Sequence, residues 1–91
     1  MSRNFEDRLR LIREKYGSLT VEERRQLLNK IKRRNIFAFH KLERIKHELL
    51  RLETRRAQLE DDPAQLAELE EKILARKEAF FKLLRDADKK E

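Results

Sequence analysis

The sequence predicts an all-α protein in which a long central helix follows a short N-terminal helix and pairs with an antiparallel C-terminal helix. Three observations predict this class. Leu, Ile and Phe recur at helical spacing along nearly the whole chain. The chain has one Gly and one Pro, so it offers few points at which a helix must end. β-Branched runs and turn clusters, which strands require, are missing.

The N-terminal helix is predicted over residues of about 4–16. Its apolar residues are spaced i, i + 4, i + 7 and i + 11 and therefore share one face: Phe5, Leu9, Ile12 and Tyr16. Gly17 follows, and it can adopt the left-handed conformation that closes a helix. If the chain folds back there, Leu9 and Ile12 should pack on the next helix. The apolar residues available near the start of that helix are Leu27, Leu28 and Ile31.

The central helix is predicted over residues of about 21–61, a length of roughly 60 Å. Thr20 and Glu23 have the spacing of a capping box, in which each side chain bonds the backbone amide of the other residue. Asp62 is suited to cap the following helix, and Pro63 suits its first turn, where no amide hydrogen is needed. Asn35 is the weakest point of the long helix, and a break near it is the alternative.

The C-terminal helix, over residues of about 63–88, repeats the heptad pattern of the central helix. Because the chain reverses between them, the two helices should form a coiled-coil-like αα-hairpin. The residue numbers of each facing pair sum to about 125: Leu59 with Leu66, Leu52 with Ile73, Ile45 with Phe80, and Leu42 with Leu83.

Two arginines, Arg56 and Arg76, interrupt these apolar positions. We expect their stems to lie along the helix contact and their charged heads to reach nearby acids. The candidate acids are Glu53, Glu70 and Glu78. The alternative is that the two arginines fix the register of the pairing.

A further set of apolar residues lies outside the hairpin contact and predicts a protein interface: Ile36, Phe37, Phe39, Phe80, Phe81 and Leu84. A rod two helices thick usually covers such a patch with a copy of itself or with a partner, so we expect a homo-oligomer, most simply a dimer. The alternative is that a bend near Asn35 closes these residues into a small monomeric core.

Charge is strongly segregated along a chain whose net charge is +6. Residues 24–47 hold nine Lys or Arg and one acid, whereas residues 57–71 hold six acids and no base. Several cations on the outer side of one helix are what phosphate binding requires. The predicted nucleic-acid contacts are Arg24, Arg25, Lys30, Lys32, Arg33, Arg34, Lys41 and Arg44. The aromatic rings of Phe37, Phe39 and His40 could stack on unpaired bases.

Composition excludes several kinds of chemistry. The chain has no Cys for disulfides or thiolate metal sites, and one Gly cannot build a Gly-rich phosphate loop. Its longest apolar run is four residues, too short to span a bilayer. His40, Glu43 and His47 lack further ligands and are flanked by cations, which argues against a metal site. No base and nucleophile are paired, so we expect no enzyme, no cofactor and no small-molecule substrate.

The first functional hypothesis is therefore a small non-enzymatic regulatory protein that binds RNA or DNA through its basic helix. The alternative is a protein-binding adaptor or inhibitor that docks its aromatic patch and uses charge for orientation. A reader of anionic membrane surfaces is disfavoured, since the basic helix has no separate apolar face. The N-terminal residues lack the apolar stretch of a secretory signal, so we expect a cytoplasmic protein.

Overall fold

The computed structural model describes residues 4–17, 19–59 and 61–89. Over these residues the chain forms four α-helices: α1 (Phe5–Tyr16), α2 (Val21–Arg34), α3 (Ile36–Gln58) and α4 (Pro63–Lys89). No strand occurs in the described ranges, so the all-α prediction is confirmed. None of the described helices is both long and apolar enough to cross a membrane.

The predicted central helix is divided at Asn35. The backbone there is extended (φ −149°, ψ 88°), while its amide still donates to the carbonyl of Ile31 at 2.7 Å. Its side-chain oxygen accepts a hydrogen bond from the amide of Ala38 at 3.1 Å. Asn35 thus ends α2 and caps α3, a role that suits a short polar side chain. The structure thus has the break near Asn35 that the sequence offered as the alternative to one continuous helix.

The other helix starts are also capped by local side chains. Asn4 accepts from the amide of Asp7 at 2.8 Å, and Asp62 accepts from the amide of Gln65 at 3.2 Å. Thr20 and Glu23 complete the capping box, with hydrogen bonds of 3.0 and 3.1 Å. The Thr20 backbone amide, with help from its hydroxyl, lowers the pKa of the Glu23 carboxyl. These bonds satisfy amides that have no partner within their own helix.

Helices α3 and α4 lie antiparallel and supply most of the core. Ile45 and Phe80 share one buried cluster, with Leu42 and Leu84 beside them. Ile31 of α2 completes this cluster, because the bend at Asn35 turns α2 back onto the pair. The bend shortens the molecule to about 45 × 26 × 19 Å, which a continuous helix of roughly 60 Å would exceed.

The two interrupting arginines reach acids on the opposite helix. Arg56 contacts Glu70 at 2.8 Å, and its guanidinium lies 4.4 Å from the ring centre of Phe5. Arg76 contacts Glu48 at 3.2 Å, an acid that the sequence did not single out. Both pairs link α3 to α4 from the edge of the contact, as expected of long side chains whose stems lie along it.

Helix α1 packs on α4, which corrects the prediction that Leu9 and Ile12 would cover α2. Ion pairs join Arg8 to Glu71 at 2.6 Å and Lys15 to Glu78 at 3.4 Å. From the first ion pair to the second, the residue number increases by seven in both helices, so α1 and α4 run parallel. The prediction failed because α2 already covers its apolar face against α3 and α4, which leaves the flank of α4 for α1.

Candidate functional site

The outward side of α3 carries a continuous set of exposed polar, basic and aromatic residues. Taking 100° per residue, they lie within about 60° of the direction of Arg44. We call them the basic face: Phe37, His40, Lys41, Arg44, His47, Arg51 and Arg55. The opposite side of the helix holds the core residues Leu42 and Leu49. Core packing therefore fixes the direction in which the basic face points.

The four Lys and Arg side chains of this face have no ion pair with any residue that the structure describes: Lys41, Arg44, Arg51 and Arg55. Glu48, the acid of α3 that points in the same direction, is held by Arg76 of α4 at 3.2 Å. The other two acids of α3, Glu43 and Glu53, lie at least about 100° away around the helix. Four cations are thus spread along roughly 21 Å of one helix face.

An exposed aromatic ring lies at the start of the basic face. Phe37 is 83% exposed, and the neighbouring Ile36 is 41% exposed. Arg33 and Arg34, both exposed, precede them at the corner between α2 and α3. A ring this accessible beside several cations contributes little to the core, so it is available to a ligand.

Four of the predicted nucleic-acid contacts, from Arg24 to Lys32, make contacts within the chain that direct them away from the basic face. The guanidinium of Arg24 lies 5.7 Å from the ring centre of Phe81, and the ammonium of Lys32 lies 5.3 Å from that of Phe39. Arg25 pairs with Glu22, and Lys30 pairs with Asp88, each at 3.4 Å. The structure therefore places Arg33, Arg34, Lys41 and Arg44 on or beside the basic face and directs the other four elsewhere.

Two cations of the basic face, Arg51 and Arg55, were not among the predicted contacts. They follow Arg44 by seven and eleven residues, which is the spacing of one helix face. A count of charge along the chain hides them, because Glu48 and Glu53 alternate with them in sequence. Helical spacing from Arg44 was the signal that could have found them.

The six residues predicted as a protein interface do not form one surface patch. Phe80 and Leu84 are buried in the core, and Phe39 and Phe81 are half-buried. The ring of Phe81 is 5.6 Å from that of Phe80 and 6.3 Å from that of Tyr16, between centres. Only Ile36 and Phe37 of the six are exposed, because the bend at Asn35 encloses the others. The bend near Asn35 that the sequence offered as the alternative thus encloses four of the six residues within the chain.

The histidines of α3 stay at its surface. His47 lies 4.0 Å from the carboxylate of Glu43, and the ring of His40 meets that of Phe39 edge-on, with 5.9 Å between centres. Within the described ranges, no three His, Cys, Asp or Glu side chains come together in an arrangement that could hold a metal ion.

Comparison with known proteins does not add to this geometry. No protein family, curated protein or solved structure is found to match the chain. Because an all-α architecture supports many functions, function has to be inferred from the site itself.

Proposed function

We propose that this protein is a non-enzymatic nucleic-acid-binding protein that contacts phosphates through the basic face of α3 and the adjoining corner. The observation that supports it is the row formed by Lys41, Arg44, Arg51 and Arg55. These cations are exposed and lie on one side of a helix, and no described acid pairs with them.

Unpaired cations suit phosphate binding for an energetic reason. A phosphate that meets a free guanidinium releases a counterion, and this release drives association at low salt. A cation already paired with a carboxylate would first have to leave it. The row of about 21 Å is also long enough to follow several consecutive phosphates, and a single α-helix fits the major groove of B-DNA.

Phe37 suggests that unpaired bases contribute as well. It is the most exposed of the large apolar residues described, and it lies at one end of the row of cations. A base that stacks on an aromatic ring gains affinity with little dependence on its identity. We therefore expect a single strand, or a duplex with an unpaired end, to use Phe37, whereas a blunt duplex uses the cations alone.

The test is the salt dependence of binding to a labelled duplex and to a labelled single strand. The four cations of the basic face by themselves predict a log–log slope of about −3.6 on duplex DNA, contacts at the corner would add to its magnitude, and neutralising two of the four should remove about 1.8. The test variant is Arg44→Gln/Arg51→Gln. The matched control is Lys72→Gln/Lys82→Gln, which removes the same charge from exposed positions of α4. Equal losses in both variants would mean that net charge, and not the basic face, governs binding.

A dimer is a separate proposal, with a smaller contact than the sequence suggested. Ile36 and Phe37 are adjacent and exposed, and they could meet their copies across a two-fold axis. Two such corners would bring Arg33 and its copy together, so self-association should strengthen as salt rises. Sedimentation tests this proposal: Phe37→Ser should be less associated than the unchanged protein. If the unchanged protein stays monomeric at high micromolar concentration and high salt, the proposal is contradicted.

A further inference from the structure

A second surface feature lies on the side of α3 away from the basic face. It is a cleft of about 510 Å³ between α2 and α3, with Phe80 and Phe81 of α4 among its lining residues. Leu28 lines it from α2, and Leu49 and Leu50 line it from α3. The basic face and this cleft are therefore two distinct surfaces of the same helix.

The apolar residues at the margin of the cleft are left open to solvent. Val21 is 70% exposed and Leu50 is 55% exposed, although both line the same cleft. Such exposure is not needed to close the core, which Ile31 and Leu42 already fill. Contiguous apolar surface with a charged margin typically marks a site where another molecule binds.

We infer that this cleft binds an acidic amphipathic helix of a partner protein. Its wall on α3 extends from Phe39 to Glu53, about 21 Å, which equals the length of a helix of about fourteen residues. A small-molecule site would enclose most of its ligand, whereas this cleft has the exposed residues Val21 and Leu50 at its margin. An open apolar groove instead fits one face of an amphipathic helix.

The charges around the cleft favour an acidic partner. Four cations and two acids line it: Arg24, Arg25, Lys46, Lys77, Glu43 and Glu53. Lys77 is paired with Glu53 at 3.5 Å and Arg25 with Glu22 at 3.4 Å, but Lys46 has no ion pair among the described residues. Arg24 lies over Phe81, and its Nε atom is buried without a hydrogen-bond partner in the described part of the chain. Acidic side chains beside the partner's apolar face would meet this excess of positive charge.

A second copy of this chain does not offer such a helix within the described residues. Its acidic segment, residues 61–71, directs its large apolar side chains inward: Leu69 is buried and Leu66 is half-buried. Its exposed pair Ile36 and Phe37 lies among cations, which the margin of the cleft would repel. The occupant is therefore a segment of a different protein, with Leu or Phe on one side and Asp or Glu beside them.

Two synthetic peptides test this inference. The first is a fluorescein-labelled helix of sixteen residues with Leu at i, i + 3, i + 7 and i + 10 and Glu at the flanking positions, and the second has Lys in place of every Glu. Fluorescence anisotropy in about 0.3 M salt, where charge effects beyond the contact are screened, reports binding. We expect the acidic peptide to bind saturably and the basic peptide not to bind.

Variants of the cleft and of the basic face then locate the bound peptide. Leu50→Asp and Lys46→Glu should each weaken binding by about tenfold or more, since each opposes one feature of the partner helix. Arg51→Glu, one position beyond Leu50 but on the basic face, should change it by less than about twofold. Because all three positions are exposed, the variants should keep the helical circular dichroism spectrum of the unchanged protein.

Amide hydrogen exchange gives a reading that does not depend on variants. Bound acidic peptide should slow exchange in residues 21–29 and 43–53 and leave α1 unchanged. The inference is overturned if the basic peptide binds as well as the acidic one, if neither binds, or if Arg51→Glu weakens binding as much as Lys46→Glu. Displacement of the acidic peptide by a DNA duplex at the same salt also overturns it, since the peptide would then occupy the basic face.

Discussion

The contact between α1 and α4 and the basic face of α3 both depend on Lys and Arg, but they use them differently. On α1, Arg8 and Lys15 lie seven residues apart and meet Glu71 and Glu78, which are also seven apart on α4. On α3, Lys41, Arg44, Arg51 and Arg55 meet no described acid. In the first case the cations hold two helices of one chain together, whereas in the second they remain available to a ligand.

The ion pairs between α1 and α4 also shift the pKa values of their members. The hydrogen bond from Arg8 lowers the pKa of Glu71, and Glu78 raises the pKa of Lys15. These shifts favour the charged forms in the folded chain, and because all four side chains are solvent-exposed, we expect their contribution to folding to be small. The net charge of a segment does not distinguish these cases. Paired and unpaired cations are distinguished only by where the acids lie around each of them.

The largest expected effect is the loss of unfolding free energy when a core side chain of α3 is truncated. Leu42 is 1% exposed, so Leu42→Ala should cost about 2–5 kcal/mol in the free energy of unfolding. Leu50→Ala, at a 55% exposed position of the same helix, should cost far less. Urea denaturation followed by circular dichroism measures both. Equal costs for the two variants would mean that α3 is rotated relative to the core described above.

The second expected effect separates Phe37 from the cations of the basic face. Phe37→Ala should weaken binding to a single strand by about 1–3 kcal/mol, the range for loss of one base–aromatic stack. It should leave the salt slope unchanged, because no phosphate contact is removed. Equilibrium titrations over a range of salt concentrations with a single strand and with a blunt duplex measure this. A change in slope, or an equal loss on the blunt duplex, would contradict stacking.

The smallest expected effect concerns the pairs between α1 and α4 and appears as a dependence of stability on pH. The pKa of Glu71 lies below its ordinary value of 4.5 in the folded chain. Its contribution is therefore complete above pH 4.5 and is lost as the pH falls through the lower folded value. Glu71→Gln should remove part of the acid dependence of the melting temperature. An identical pH profile in the variant would show that this pair does not stabilise the fold.

Local signals in the sequence were sufficient to place the starts of α2 and α4, whereas the start of α3 was only the alternative to one continuous helix. Thr20 and Asp62 act as caps through contacts with residues three positions away, so their roles can be derived from a few neighbouring letters. The antiparallel pairing of α3 and α4 could also be predicted, because the chain reverses at Pro63 and both helices carry matching heptads. Ile45 and Phe80 accordingly lie in one core cluster.

Long-range choices could not be derived in the same way. Leu9 and Ile12 could cover any apolar stripe, and the choice of α4 depends on where α2 turns at Asn35. That turn also decided that Phe39, Phe80 and Phe81 would face inward. For the candidate site, the basic segment could be recognised by counting charge. Helical spacing from Arg44 could have extended it to Arg51 and Arg55, but only the structure shows that Glu48, which lies among them, pairs with Arg76 of α4.

The most direct test of the central claim is to place an acid beside the four cations of the basic face without removing any of them. His47→Glu places a carboxylate three residues after Arg44 and four before Arg51, where it can pair with both. The matched control, Ala75→Glu, adds a carboxylate at an exposed position of α4. The measurement is the salt slope for a DNA duplex. We predict that His47→Glu reduces its magnitude by about 1–2 while Ala75→Glu leaves it unchanged. Equal slopes for the two variants would contradict the claim that the unpaired cations of α3 bind phosphate.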